Sequence, residues 1–186
     1  SYVILSDDAD NVSDSNLQVG LNSMMDNLNT TYPYINAKKI HTDAYVQQVA
    51  AGGNRYPKAK QDFVDAIQLG ALVVNYYGHG GEYGFAQERL YEISEAINLS
   101  NFDNLPLFIT MTCDFSRFDN PYLQTGGEFT FWNPTGGAIN LVTTTRLIGV
   151  TSASNINDEF NFYLYENSDT NNPLNTIGEA LKKEKN

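Results

Sequence analysis

Ala71-Leu72-Val73-Val74-Asn75-Tyr76-Tyr77 runs almost wholly apolar and is then broken by Gly78-His79-Gly80-Gly81. A short apolar run bounded by turn residues predicts a strand buried on both faces. Leu105-Pro106-Leu107-Phe108-Ile109-Thr110-Met111-Thr112 has the same character and ends at Cys113. Ala138 to Thr145, entered through Gly136-Gly137, predicts another such strand, as does Tyr2 to Ser6 at the start of the chain. Tyr34 to Ile40 predicts one more.

Helical spacing fills the intervals. Leu17, Leu21, Met24 and Leu28 recur at helical spacing behind Ser15 or Asn16 as N-cap. Pro57 suits the first turn of a helix whose inner face is Phe63, Ala66 and Ile67, with Gly70 placed to end it. Further helices are expected over Ile93 to Leu99, Asp158 to Tyr165 and Thr176 to Lys183. Apolar strands alternating with helices predict an α/β fold, a three-layer sandwich with a mainly parallel sheet covered on both faces. Right-handed crossovers bring the carboxyl ends of the strands to one edge, where ligands bind in such sheets. His79 and Cys113 each lie just past the end of a central strand, so the pattern sets them against each other across that edge.

The chain has 186 residues, enough for a single domain spanning 1–186 and able to bury a core without disulfide staples. No signal peptide is evident, and the sequence reads as a domain excised from a longer protein. The 11 Lys+Arg against 22 Asp+Glu give a formal charge of −11, which argues against nucleic acid as a partner. No apolar run is long enough to span a bilayer, so no direct membrane insertion is expected. The single cysteine, Cys113, excludes an intrachain disulfide.

A thiol attacks a carbonyl as thiolate, and a neighbouring imidazole takes its proton and later protonates the leaving amine. Cys113 and His79 supply that pair. Gly80, lacking a side chain, lets substrate approach closely, and the N–H groups of Gly80 and Cys113 are the oxyanion-hole candidates. Against this stand a buried structural cysteine and a loop histidine bonded to a local carbonyl. The joint placement of the two favours the reactive pair.

Other patterns carry less. Gly78-x-Gly80-x-x-x-Gly84 departs from dinucleotide-binding spacing. One Cys and two distant His residues, His41 and His79, give no zinc spacing, and no cofactor is expected. Asp7, Asp8 and Asp10, with Asn11, offer hard oxygen ligands for calcium, though not in EF-hand order. Arg146 ends an apolar strand and either reads an acidic substrate group or pairs with a local acid such as Glu128. Phe115, Phe118, Tyr122, Phe129 and Trp132 crowd the segment after Cys113, and most are expected in the core.

Asn75-Tyr76-Tyr77-Gly78-His79-Gly80-Gly81-Glu82, followed by Glu88-Arg89, resembles the histidine segment of gingipain-type, caspase-like cysteine peptidases. Thr112-Cys113-Asp114-Phe115-Ser116-Arg117-Phe118-Asp119-Asn120-Pro121 resembles their cysteine segment. Asp7-Asp8, Gly127-Glu128, Gly136-Gly137-Ala138-Ile139 and Thr143-Thr144-Thr145-Arg146 are similar to the PorU branch, the cell-surface sortase of the type IX secretion system. The resemblance implies a caspase-like fold and catalytic roles for Cys113 and His79. It further implies cleavage of C-terminal sorting domains from secreted proteins at the outer-membrane surface, alongside other secretion-system proteins. It also implies an upstream carboxylate that orients the histidine, for which Asp8 is the best-placed candidate. A secreted gingipain-like endopeptidase, or a non-catalytic protein-binding module on the same fold, are the alternatives.

Overall fold

The computed structural model describes residues 1–166 and 175–185. Along the chain, β1 (Tyr2–Ser6), α1 (Ser15–Thr31) and β2 (Ala37–His41) lead into a small hairpin, β3 (Gln48–Ala50) and β4 (Gly53–Arg55). Next come α2 (Pro57–Leu69) and β5 (Val73–Tyr77), then a ribbon of three short strands, β6 (Gly80–Gly81), β7 (Gly84–Phe85) and β8 (Tyr91–Glu92). The remaining elements are α3 (Ile93–Asn98), β9 (Leu107–Met111), α4 (Gly126–Trp132), β10 (Asn140–Thr143), α5 (Val150–Tyr165) and α6 (Ile177–Glu184).

The main sheet has the order β10-β9-β5-β1-β2, and every pairing in it is parallel. The apolar runs at β1, β5 and β9 are its three central strands, and all their residues are buried. Alternation along a strand sends side chains to opposite faces. Val3, Leu5, Val74, Tyr76 and Phe108 meet Phe63 and Ile67 of α2, with Leu99 after α3. Tyr2, Ile4, Tyr77 and Ile109 meet α1, α5 and α6 on the other face. These are the three layers of an α/β sandwich.

Local signals explain most boundaries. Pro57 occupies the first turn of α2, and Gly70 ends it at φ 101°, a conformation that favours glycine. Capping boxes open α3 (Glu92 with Glu95), α4 (Thr125 with Glu128) and α6 (Thr176 with Glu179). Asn75 interrupts the apolar run of β5 for a reason. Its amide donates to the Tyr2 hydroxyl at 2.9 Å and to Asn157 of α5 at 2.8 Å, and Tyr2 donates to Asn161 at 2.6 Å. This buried chain pins α5 to the sheet, and leaving one of its groups unpaired costs about 1–3 kcal/mol.

Several elements differ from the sequence reading, among them the hairpin β3–β4, which it did not expect. α5 starts at Val150 rather than Asp158, because its inward face mixes Ala153 and Phe160 with the bonded Asn157 and Asn161. α4 and the ribbon β6–β8 are additional. The two-residue strands of the ribbon are too short for a period-two pattern, and they are held by aromatic packing. Phe85 stacks on Tyr76 with centroids 4.0 Å apart and meets Phe115 at 4.7 Å.

Candidate active site

Parallel register decides where the two candidate reactive residues leave the sheet. Tyr77 of β5 pairs with Met111 of β9, so His79 and Cys113 each stand two residues beyond the last aligned pair. Neighbouring strands run about 4.8 Å apart, so the two loops that carry these residues leave the sheet side by side at its carboxyl edge. The ladder continues past the strand ends, since the Gly78 N–H donates to the Met111 carbonyl at 3.3 Å and the Asp7 N–H to the Tyr77 carbonyl at 3.2 Å. A Cβ on Gly78 would lie 2.4 Å from Asp7 Cβ, and one on Gly80 would lie 2.5 Å from Thr112 Oγ1 and 2.8 Å from the Gly84 carbonyl. Only glycine allows that approach.

His79 is fixed at four points. Its N–H donates to Asp7 Oδ2 at 2.9 Å, and its carbonyl accepts the Tyr76 hydroxyl at 2.6 Å and the Ala86 N–H at 2.9 Å. Its ring Nε2 lies 3.2 Å from Asp14 Oδ1, with the His79 side chain 44% exposed and that of Asp14 1% exposed. The carboxylate that meets the imidazole is therefore Asp14 and not Asp8. The Asp8 carboxylate instead accepts the Tyr56 hydroxyl at 2.7 Å. Asp14 was hidden from sequence reasoning by its position. It is the N-cap residue of α1, ahead of the expected Ser15 or Asn16, but makes no side-chain cap bond; its other oxygen accepts Asn11 Nδ2 at 2.7 Å. An aspartate at an N-cap that leaves the helix uncapped is available for other work.

Cys113 is half-buried, with Sγ 3.9 Å from the Ile148 carbonyl. The next residue, Asp114, sits at φ 53°, a left-handed conformation that costs a non-glycine residue about 1–3 kcal/mol and collects at functional sites. The segment after β10 sustains it. The Asp114 N–H donates to the Arg146 carbonyl at 3.4 Å, Ser116 N–H to Thr144 at 3.1 Å, and the Thr144 hydroxyl to the Thr112 carbonyl. Glu82 then ties the loop after β5 to the segment after Cys113. Its carbonyl accepts the Gly126 N–H at 2.7 Å, and its carboxylate accepts Asn120 Nδ2 at 2.8 Å and faces Arg117 at 3.7 Å.

A cleft of about 590 Å³ opens on the His79 side, lined by His79, Gly80, Gly81, Tyr83, Ala86 and Arg89 among others. Arg146 pairs with a local acid, the second of its two expected readings, but the acid is Asp119 and not Glu128. Arg146 donates to both oxygens of Asp119, at 3.0 and 2.5 Å, and holds the Asp119 carboxyl below its usual range. Glu128 accepts the Thr125 N–H at 2.8 Å in the capping box of α4. The aromatic residues also divide differently from expectation. Phe115 is fully buried and Phe129 packs on the core, but Phe118, Tyr122 and Trp132 are 71%, 95% and 68% exposed. The polar ties of the loop after Cys113 hold its backbone in place and leave Phe118 and Tyr122 facing solvent, while Trp132 ends α4.

The acids at the end of β1 are buried in part. Asp7 and Asp8 are buried and Asp10 is exposed, so the expected trio of calcium ligands does not converge. Burial pushes the Asp7 carboxyl up to about 7, opposed by the His79 N–H and reinforced by the charges of Asp8 and Glu88. His41, at the end of β2, shares a hydrogen with Ser6 Oγ at 2.8 Å, and burial lowers its pKa.

Comparison with known proteins accords with this geometry. The sequence pattern of peptidase family C25 matches residues 1–186. No curated protein sequence gives a significant match. The crystal structure of the Arg-specific cysteine proteinase gingipain R (RgpB) superposes with TM-score 0.75 at 20% identity, over 98% of this chain and 40% of that one. A complex of the Porphyromonas gingivalis RgpB pro- and mature domains gives 0.74 at 19% identity, over 98% and 41%. The chain thus spans about two fifths of the length of these structures. The fold is the caspase-like α/β fold of gingipain. The chain belongs to peptidase family C25, the gingipain family of cysteine peptidases.

Proposed function

We propose that this chain is the catalytic domain of a thiol peptidase acting on polypeptides. What supports the reading is the β5–β9 register, whose last pair Tyr77–Met111 lies two residues before His79 and Cys113, together with the 3.2 Å approach of His79 Nε2 to the buried Asp14. With Nε2 donating to Asp14, Nδ1 is the nitrogen left to take the thiol proton. The Cys113 thiolate adds to the scissile carbonyl, and the N–H groups of Gly80 and Cys113 receive the developing oxyanion. Collapse breaks the C–N bond as the imidazolium gives its proton to the departing amine, leaving a thioester on Cys113. Asp14 holds the ring orientation and stabilises the imidazolium. The cleft beside His79 and the exposed Phe118 and Tyr122 offer surface to an extended peptide on either side of the pair.

The finer reading follows the sequence resemblance. The substrates are C-terminal sorting domains of secreted proteins, released at the cell surface in concert with other secretion-system proteins, with an amine replacing water as thioester acceptor. A secreted endopeptidase of the same family is the second reading. The test incubates the protein with generic fluorogenic peptides, and separately with a secreted protein carrying its C-terminal sorting domain, with and without glycinamide. Intact-mass detection of a glycinamide adduct at the new C-terminus, with generic peptides untouched, supports the sortase reading. Ready hydrolysis of generic peptides without adduct supports the endopeptidase. No cleavage of either substrate, unchanged by Cys113→Ala, returns the fold to a binding role.

A further inference from the structure

α1 and α5 pack on the same face of the sheet, and a cavity of about 220 Å³ opens between them. Met24, Leu28 and Tyr32 line it from the end of α1, and Asp158, Asn161 and Phe162 line it from α5. Met24 stands roughly 15 Å along α1 from Asp14, at about 1.5 Å per residue, so the cavity is separate from the reactive pair. Its walls are fixed by the core. Met24, Leu28 and Tyr32 are buried, and the Tyr32 ring packs on Tyr165 with centroids 5.9 Å apart. Asn161 is held by its bonds to Tyr2 and Asn157. Phe162, more than half exposed, stands at the mouth.

Asp158 is the one charged group in this lining. Among the described residues it makes no ion pair and no side-chain hydrogen bond. Loss of water around it pushes its carboxyl up, and no positive neighbour opposes the shift. Neither helix supplies a counter-charge, since α1 and α5 contain no Lys or Arg, and Lys39 beside α1 is taken by Asp26. A long aliphatic stem tipped with a positive charge answers both halves of the cavity. Met24 and Leu28 give the stem an apolar wall, and Asp158 with the rings of Tyr32 and Phe162 attracts the cation. The volume falls below the roughly 300–1,000 Å³ of small-molecule clefts and suits a single side chain. The formal charge of −11 favours a basic partner at longer range.

We propose that the cavity between α1 and α5 docks one lysine or arginine side chain of a polypeptide partner, with its stem on Met24 and Leu28 and its cation on Asp158. Asp158 selects for charge, and the apolar wall selects for length. The pocket gives the partner a hold on the domain away from Cys113 and His79.

The test reads the methionine methyl groups by NMR in protein labelled with carbon-13 at those methyls. Of the 3 methionines only Met24 lines the cavity, so Met25 and Met111 serve as internal references. The probe is Nα-acetyl-lysine amide at mildly alkaline pH, where Asp158 is ionised, and Nα-acetyl-norleucine amide is its uncharged counterpart. The expected result is a saturable shift of the Met24 signal with the lysine probe, while Met25 and Met111 change little. Affinity should fall at least ~10-fold for the norleucine probe, and by as much for the lysine probe in Asp158→Asn, while Glu159→Gln matches the parent. Circular dichroism checks that each variant folds, and the comparison of the two probes decides in the parent alone. Absence of a saturable Met24 shift, equal affinity for the two probes, or unchanged affinity in folded Asp158→Asn would overturn the pocket. Binding of butylammonium without binding of Nα-acetyl-lysine amide would assign it to a free amine and overturn the polypeptide partner. None of these readouts depends on peptidase activity, so they stand apart from the catalytic reading.

Discussion

The two ends of the same parallel sheet carry cavities of similar size, and almost nothing else about them is alike. At the carboxyl end, about 590 Å³ opens beside an imidazole, with a thiol, a left-handed Asp114 and cross-tied loops along the same edge. At the amino end, about 540 Å³ lies among Tyr34, Leu72, Leu105, Ile139 and Leu164. Leu72 and Ile139 there are 67% and 63% exposed. Backbone bonds close that end plainly, as where the Leu107 N–H donates to the Leu72 carbonyl at 3.0 Å. Volume therefore does not mark the site. What marks it is the convergence of titratable groups and sustained backbone strain, which parallel topology gathers only where strands end.

The largest effect that could break this contrast is loss of the reactive pair. Cys113→Ala is expected to abolish turnover, and His79→Ala to lower kcat/KM at least ~10³-fold, with melting temperatures near the parent's, because paired catalytic groups act as a unit. Asp14→Asn comes next, with a fall in kcat of roughly 10²–10⁴-fold as the imidazolium loses its partner. Asp10→Asn, exposed in the same loop, should stay within about twofold; equal losses in both would assign the effect to the loop and not to the carboxylate.

Gly80→Ala should act on fold and rate together. Its methyl group would press on Thr112 and the Gly84 carbonyl, costing about 1–3 kcal/mol of stability, and thermal melts with kinetics would separate the two losses. Glu82→Gln should cost less, about 1 kcal/mol of loop anchoring, seen as faster hydrogen exchange over residues 115–125 with little change in melting temperature. The smallest effect belongs to the amino end. Leu72→Gln and Ile139→Ser should leave the rate within about twofold and stability within about 0.5 kcal/mol. A large rate loss there would undo the comparison.

The sequence made the strong features legible and the relational ones obscure. β1, β5 and β9 stand out because a strand covered on both faces must be apolar throughout, and strand-end logic then pointed to His79 and Cys113. Asp14 was missed because the same logic favoured the acid directly after β1, whereas the chain needed a further turn to reach the imidazole. Arg146 with Asp119 and Glu88 with Asp8 are contacts between distant segments, and no local spacing announces them. Glu128 was legible in the wrong role, since Thr125-x-x-Glu128 is a capping box. The exposure of Phe118 and Tyr122 depends on how the loop is tied, which composition does not encode.

The central claim is that Cys113 and His79 work as one reactive unit, and the most direct measurement is the rate of iodoacetamide alkylation of Cys113 at neutral pH. It should be compared in the parent, Asp14→Asn and His79→Ala, with free cysteine as reference. The account predicts alkylation faster than free cysteine in the parent, slower in Asp14→Asn, and at least ~10-fold slower than the parent in His79→Ala. A slow rate in the parent that ignores both substitutions would mean an isolated, half-buried thiol and would contradict the account.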